Sequence, residues 1–245
     1  HSCDVYFYKL GDKMGIDNLH EYALASGFGA RTGIDLPHEK AGLIPSKEWK
    51  RKRFGAAWSR GETVIASIGQ GYVLTSPLQV ARYLSALVGE GKLRKPELVD
   101  TEEPKVDASL PLKEGDRQFI LDAMVATVER GTGKSLYRPD VVTGAKTGTA
   151  QVVKLINPDV RIKGKFMPYE QRDHAWMASW GKKDGKTYVV VCIVEHGGGH
   201  GGEICGPIER KIFEYLFGPA PAKSRAAGPA PEAQPAAAEP GDVGD

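Results

Sequence analysis

The chain has 245 residues, with 33 Lys and Arg against 31 Asp and Glu, and a formal net charge of +2. A charge this close to zero gives no electrostatic footprint for nucleic acid or for an anionic membrane surface. The longest wholly apolar run, residues 189–194, is far shorter than the roughly 20 residues that span a bilayer, so we expect any membrane anchor to lie outside the chain.

The first third of the sequence predicts two helices followed by irregular structure. Residues 5–14 carry apolar side chains at near-helical spacing, and residues 17–25 predict a second, shorter helix. Residues 30–60 are rich in glycine, proline and basic side chains, which indicates irregular surface structure. We interpret the basic cluster there as a solvated face rather than a ligand site. Its members are Lys47, Lys50, Arg51, Lys52 and Arg53.

Two core helices are predicted next. Ser76-Pro77 supplies a favourable cap and a proline at the first helical position, and an apolar stripe follows as far as Val88. Residues 116–130 form a second apolar stripe, which the segment 131–133, Gly-Thr-Gly, brings to an end.

From residue 141 the hydrophobic period changes to that of strands. We predict strands over residues 145–155, 174–180 and 187–195, with the last two joined as a hairpin at Asp184-Gly185. Residues 189–194 are apolar at every position, which predicts a strand covered on both faces and central in its sheet. A helix over residues 207–217 would cover one face.

The sequence divides into a folded part, residues 1–218, and a tail, residues 219–245. The tail is rich in Ala, Pro, Gly and Glu and has almost nothing to bury, so we predict it to be disordered. At the other end, the first four residues run directly into an aromatic stretch, without a flexible lead-in. We therefore expect residues 1–218 to be the C-terminal part of a domain that begins upstream.

The strongest chemical signal is Lys146-Thr147-Gly148-Thr149, at the beginning of a predicted strand. The edge of an extended strand exposes N–H and C=O groups, so a peptide can dock there as an added strand, and Gly148 has no side chain to block it. Lys146 adds a positive charge, and the hydroxyls of Thr147 and Thr149 can bind a carboxylate.

This motif resembles the third active-site motif of the penicillin-binding and serine β-lactamase superfamily. Ser2-Cys3-Asp4 resembles the second motif, Ser-x-Asn, of the same superfamily. Residues 61–79 resemble the segment before a core helix in class B penicillin-binding proteins, and residues 173–176 resemble the strand that follows their Lys-Thr-Gly motif. From these matches the chain is identified as a class B transpeptidase domain, most like the elongation-type group called penicillin-binding protein 2.

The resemblance implies an α+β fold, in which an antiparallel sheet packs against helices and one helical layer is incomplete on the N-terminal side. It implies acyl transfer through a serine, with peptidoglycan stem peptides as substrates, β-lactam antibiotics as their mimics, and no metal or organic cofactor. It also implies an inner-membrane protein with a periplasmic catalytic domain. Its expected partners are membrane proteins of the elongation machinery and a glycosyltransferase.

The resemblance also implies roles for individual residues. Ser2 would relay a proton, and Lys146 would supply positive charge and assist proton movement. Thr147 and Thr149 would hold the substrate carboxylate, and the N–H of Thr149 would form part of the oxyanion hole. Asp4 stands where the family pattern has Asn, so the resemblance places it among the substrate-binding residues. A carboxylate cannot donate a hydrogen bond to a substrate carbonyl, but Asp4 could still pair with a lysine.

The first motif of the family, Ser-x-x-Lys, is expected some tens of residues before Ser2. The one such string in the sequence, Ser179 to Lys182, lies at the end of a predicted strand, whereas the catalytic pair needs a helix to share a face. We therefore predict that the nucleophile is absent from this chain and that the chain alone is inactive.

Three other functions remain open at this point. A D,D-carboxypeptidase or a β-lactamase could use the same scaffold, although no Glu-x-x-Leu-Asn segment of the class A β-lactamases is found. A penicillin-sensing domain could bind without turnover.

Two groups of residues are metal-like by type. The first is His196, His200, Glu203 and Cys205, where five interspersed glycines favour a mobile loop instead. The second is Cys3 with its neighbours, for which packing of a buried Cys3 is the preferred interpretation.

Overall fold

The computed structural model describes residues 3–99, 105–153 and 164–221, which form helices and two antiparallel sheets. No helix in these ranges combines the length and the apolar character needed to cross a bilayer. Helices α1 to α8 are Asp4–Met14, Ile16–Ala25, Lys47–Phe54, Arg60–Ala66, Pro77–Val88, Glu114–Arg130, Gly201–Ile204 and Gly206–Phe217. Strands β1 to β5 are Lys92–Arg94, Val106–Ser109, Val142–Ala150, His174–Lys183 and Lys186–Val194.

The larger sheet has the order β3-β4-β5, and both of its pairs are antiparallel. Alternation along β4 sends successive side chains to opposite faces. Trp180 joins a core formed with α5 and α6, whereas Ala175 and Met177 join a second core formed with α8. The sheet is therefore the middle of three layers, and the prediction of an α+β fold with an antiparallel sheet packed against helices is confirmed.

Most predicted elements are confirmed with small shifts at their ends. The helix at Ser76 begins with a reciprocal cap in which the Ser76 side chain accepts from the backbone of Gln79, and the Gln79 side chain accepts from the backbone of Ser76. The hairpin turns at Asp184 and Gly185, both at positive φ. The predicted strand at 145–155 instead begins at Val142 and ends at Ala150.

The prediction of irregular structure throughout residues 30–60 is wrong, because the basic cluster lies on α3. Ser46 caps this helix by accepting a hydrogen bond from the N–H of Trp49, and Gly55 ends it in the left-handed conformation. Lys50 is not solvated but pairs with Glu62 at 2.5 Å, with both side chains largely buried.

The prediction that residues 189–194 form a central strand is also wrong for the described sheet. β4 is the middle strand, and β5 has one described neighbour. Its uniformly apolar sequence is explained by cover on both faces, since Val189 packs with the α5 and α6 core and Val190 with the α8 core. The tail predicted over residues 219–245 lies, from residue 222 onward, outside the described residues.

A carboxyl group is buried between the sheet and α8. Glu209 is fully buried and accepts a hydrogen bond from the hydroxyl of Ser179 at 2.5 Å, while its Oε1 atom has no hydrogen-bond partner among the described residues. Burial raises the pKa of Glu209 from 4.5 to about 7. The folded state therefore holds this proton more tightly than the unfolded state does.

We predict that Glu209 makes the free energy of unfolding fall as pH rises. The contribution of the protonated carboxyl is complete below pH 4.5, is lost progressively up to about pH 7, and is constant above that. The loss amounts to about 3 kcal/mol. Urea unfolding at pH 5 and pH 8 should show most of this difference for the wild type and none of it for Glu209→Gln. The partly exposed Glu214→Gln on the same helix should behave like the wild type; equal pH dependence in all three would contradict the prediction.

Candidate active site

The candidate site lies along one edge of β3. Among the described strands β3 pairs only with β4, so no described strand covers its other edge. Lys146, Thr147, Gly148 and Thr149 all lie on this strand, opposite residues 175–178 of β4. The strand position that the sequence predicted for this motif is therefore correct.

Lys146 lies beside the beginning of α1. Its ammonium donates a hydrogen bond to the C=O of Thr147 at 2.5 Å. Partial burial lowers the pKa of Lys146, and the negative charge of Asp4 opposes that shift. The structure thus brings together Asp4 and Lys146, from the second and the third motif of the sequence.

The two threonines and the glycine have different surroundings. Thr147 and Thr132 share a hydrogen bond of 2.9 Å between their hydroxyl oxygens. A Cβ added at Gly148 would come within 3.2 Å of the Cβ of Trp176 on β4, and the remaining space around it is open. From the sequence we predicted only that Thr132 belongs to a segment that ends a helix. Its hydroxyl, in a Gly-Thr-Gly loop, was the signal that could have indicated a polar contact at the site.

Gln70 is a site residue for which the sequence suggested no role. Its side-chain amide donates to the C=O of Thr149 at 2.8 Å, and its side-chain oxygen accepts from the N–H of Gln151 at 3.3 Å. The flanking Gly69 and Gly71 have φ values of 75° and 73°, which L side chains rarely adopt. The sequence Gly-Gln-Gly, with one side chain between two glycines, was the signal that could have identified Gln70 as a site residue.

The glycine-rich segment after β5 is packed against the sheet, so the prediction of a mobile loop there is wrong. A Cβ added at Gly201 would lie 1.9 Å from the C=O of Trp176 and 2.9 Å from that of Gly148. Cys205 is buried, and its thiol donates to the C=O of Ala175 at 3.3 Å. The glycines therefore allow this segment to pack closely against the sheet behind the candidate site. The buried side chain of Cys205 anchors the segment there.

The remaining predicted residues are placed less favourably or not at all. Ser2 lies outside the described residues, so its role stays a prediction. Cys3 is exposed, which overturns the interpretation of it as a buried packing residue. Ser179 is fully buried against Glu209, where no substrate can reach it. Its rejection as a nucleophile is therefore supported by burial as well as by its place on a strand.

No group of three or more His, Cys, Asp or Glu side chains within residues 3–99, 105–153 and 164–221 is arranged to hold a metal ion. His174 accepts a hydrogen bond from the backbone N–H of His196 at 2.9 Å.

Comparison with known proteins decides the family. Residues 1–214 match the family described as the penicillin binding protein transpeptidase domain. The chain belongs to the penicillin-binding protein transpeptidase family. The resemblance drawn from its motifs is thereby confirmed.

Two similar relatives are peptidoglycan D,D-transpeptidases MrdA. The protein from Haemophilus influenzae is 34% identical over 234 residues, which cover 88% of this chain and 35% of the relative. The protein from Acinetobacter baumannii is 32% identical over 224 residues, which cover 87% of this chain and 33% of the relative. The chain thus spans about a third of the length of these relatives.

Solved penicillin-binding protein 2 structures share the fold of this transpeptidase chain. The protein from Helicobacter pylori, in complex with MreC, matches with a TM-score of 0.74 and 34% identity over 87% of this chain and 38% of that one. The protein from Pseudomonas aeruginosa, in complex with WCK 5153, matches with a TM-score of 0.71 and 30% identity over 91% of this chain and 48% of that one.

We predict that Asp4→Asn lowers the pKa of Lys146 further. The substitution keeps the size of the side chain and removes the negative charge that favours the ammonium. The measurement is an NMR titration of the Lys146 side-chain Cε shift. Asp12→Asn is the matched control, because Asp12 lies on the same helix and pairs with Arg60. A titration curve of Lys146 that is the same in the wild type and Asp4→Asn would disprove the coupling.

Proposed function

We propose that this chain forms the substrate-binding wall of a peptidoglycan D,D-transpeptidase active site. The observation that carries the proposal is the open edge of β3, with Lys146 at its side and Thr147 and Thr149 along it. Such an edge fits an extended peptide, and a lysine beside it fits the carboxylate and the developing negative charge of acyl transfer.

The proposed reaction has two steps. A serine oxygen attacks the carbonyl carbon of the penultimate D-alanine of a stem peptide, its proton passes to a lysine base, and the terminal D-alanine leaves as an amine after gaining a proton. An amine of a neighbouring stem peptide then attacks the acyl-serine, loses a proton and releases the serine. A β-lactam enters the first step in place of the stem peptide, and the second step then stalls.

Each site residue has a part in this scheme. The terminal carboxylate is held by the hydroxyls of Thr147 and Thr149, and the N–H of Thr149 stabilises the oxyanion, a contribution of about 3 to 4 kcal/mol for one such donor. Gly148 leaves room for the peptide. Lys146 supplies charge, and Ser2 relays a proton between the serine and the leaving amine. Asp4 favours the charged form of Lys146 instead of donating to the substrate.

The nucleophile of the proposed reaction is supplied by a Ser-x-x-Lys motif outside residues 1–245. The string at Ser179 is unsuitable because that hydroxyl is buried and already donates to Glu209.

By the same proposal the domain acts in the periplasm, as part of an inner-membrane protein of the elongation type. The expected partners are membrane proteins of the elongation machinery and a peptidoglycan glycosyltransferase. A Helicobacter pylori relative was solved as a complex with MreC, which supports partners of this class.

We predict that Lys146→Ala, in the chain extended upstream through the Ser-x-x-Lys motif, abolishes acylation by a fluorescent penicillin without unfolding the protein. Lys146 has no acidic hydrogen-bond partner among the described residues, so its loss costs little stability. Lys182→Ala is the matched control, since Lys182 is another exposed strand lysine. Labelling of Lys146→Ala at the wild-type rate would refute the assignment of Lys146.

We also predict that residues 1–245 alone form no covalent adduct with fluorescent penicillin, whereas the extended chain does. An acylation gel on both proteins, with Ser179→Ala as an added lane, measures this directly. Equal labelling of the two chains, lost in Ser179→Ala, would mean that the nucleophile has been misplaced.

A further inference from the structure

The loop after α4 is shaped to deliver one side chain to the edge of β3. Gly69 and Gly71 flank Gln70 and both have positive φ, so Gln70 is the one residue of the three with a side chain to present. The N–H of Gln70 donates to the C=O of Ile65 at 3.2 Å, which ties the loop to the end of α4. A Cβ at Gly71 would come within 3.0 Å of the Ile65 side chain, so the loop is closely packed there.

The carboxamide of Gln70 takes the place of a neighbouring strand. It donates to the C=O of Thr149 at 2.8 Å and accepts from the N–H of Gln151 at 3.3 Å. These are the backbone groups that an added strand would use, because the C=O of one residue and the N–H two residues later point to the same edge. In the structure this end of the docking edge is therefore already occupied.

The substrate of the proposed function would need one of these groups. If the carbonyl of the penultimate residue accepts from the N–H of Thr149, then in an antiparallel pair the amide N–H of that same residue donates to the C=O of Thr149. That C=O is the atom to which Gln70 donates. The donor peptide and Gln70 compete for one acceptor.

We propose that Gln70 is a specificity-determining residue that closes the docking edge and is displaced by the amide N–H of the donor peptide. The proposal rests on the proposed function and extends it. The exchange replaces one amide hydrogen bond with another. Gln70 therefore reduces the advantage that an acylamino donor gains over a donor without an amide, and its removal should restore that advantage.

The test compares two thioester donors that share a leaving group with a carboxylate. N-acetyl-D-alanyl thioglycolate carries the amide N–H, and propionyl thioglycolate is the same acyl group without the acetamido substituent. The ratio of kcat/KM for the two donors is measured in the chain extended upstream through the Ser-x-x-Lys motif. Gln70→Met keeps the side-chain volume and loses both hydrogen bonds. Gln118→Met, on the exposed face of α6, is the matched control.

We expect the ratio to rise by about five- to tenfold in Gln70→Met and to stay unchanged in Gln118→Met. An equal change for both donors, or a fall in the ratio, would overturn the proposal, because a purely structural tie affects both donors alike. Gln70→Asn, one methylene too short to reach both groups, gives the same test if Gln70→Met does not fold. Acylation of the wild type by fluorescent penicillin is measured in parallel: its absence would refute the proposed function itself, whereas an unchanged donor ratio in a protein that acylates refutes only the role of Gln70.

Discussion

The candidate site depends on one constraint: under the proposed function an edge of β3 must stay open to a peptide, yet its polar backbone groups need hydrogen-bond partners. An open, unsatisfied strand edge also invites pairing with another chain. Here side chains supply the partners. Gln70 bonds the C=O of Thr149 and the N–H of Gln151, and Lys146 bonds the C=O of Thr147. Because side chains can rotate away and strands cannot, the edge is both satisfied and available.

The packing behind the edge follows from the same requirement. β3 can be held in place only through β4 and through what covers the two faces of the sheet. Gly201 allows the segment before α8 to approach the backbone of Trp176 at a distance that no side chain would permit. On the other face, Gly144 lies against the ring of Trp180, where an added Cβ would come within 2.4 Å of the ring nitrogen. Small residues on both faces thus allow close packing against the sheet without using the free edge of β3.

The helices, the strands and the main chemical motif of the site could be predicted from the sequence because each depends on residues that are close together in the chain. Lys146 to Thr149 form a contiguous motif, and the helix at Ser76 is determined by its own cap and stripe. What the sequence did not reveal depends on distant partners. Gln70 bonds a residue 79 positions away, and nothing near it names that partner. The basic cluster was read from its composition, whereas Ser46 and Gly55 make it a helix and Glu62 buries Lys50. Exposure of Cys3 likewise depends on its surroundings rather than on its residue type.

The end of α8 offers a fixed attachment point. The buried guanidinium of Arg138 donates to the C=O of Phe213 and of Gly218 and pairs with Asp140, which also holds Lys183 at the turn end of β4. This clasp lies beside Val142, seven residues along β3 from Thr149 and therefore roughly 24 Å away at strand spacing. A fluorophore attached within the last turn of α8, before the predicted tail, would follow the motion of the sheet and stay clear of bound peptide. The clasp thus makes this end of α8 a reference point for distance measurements to a labelled substrate.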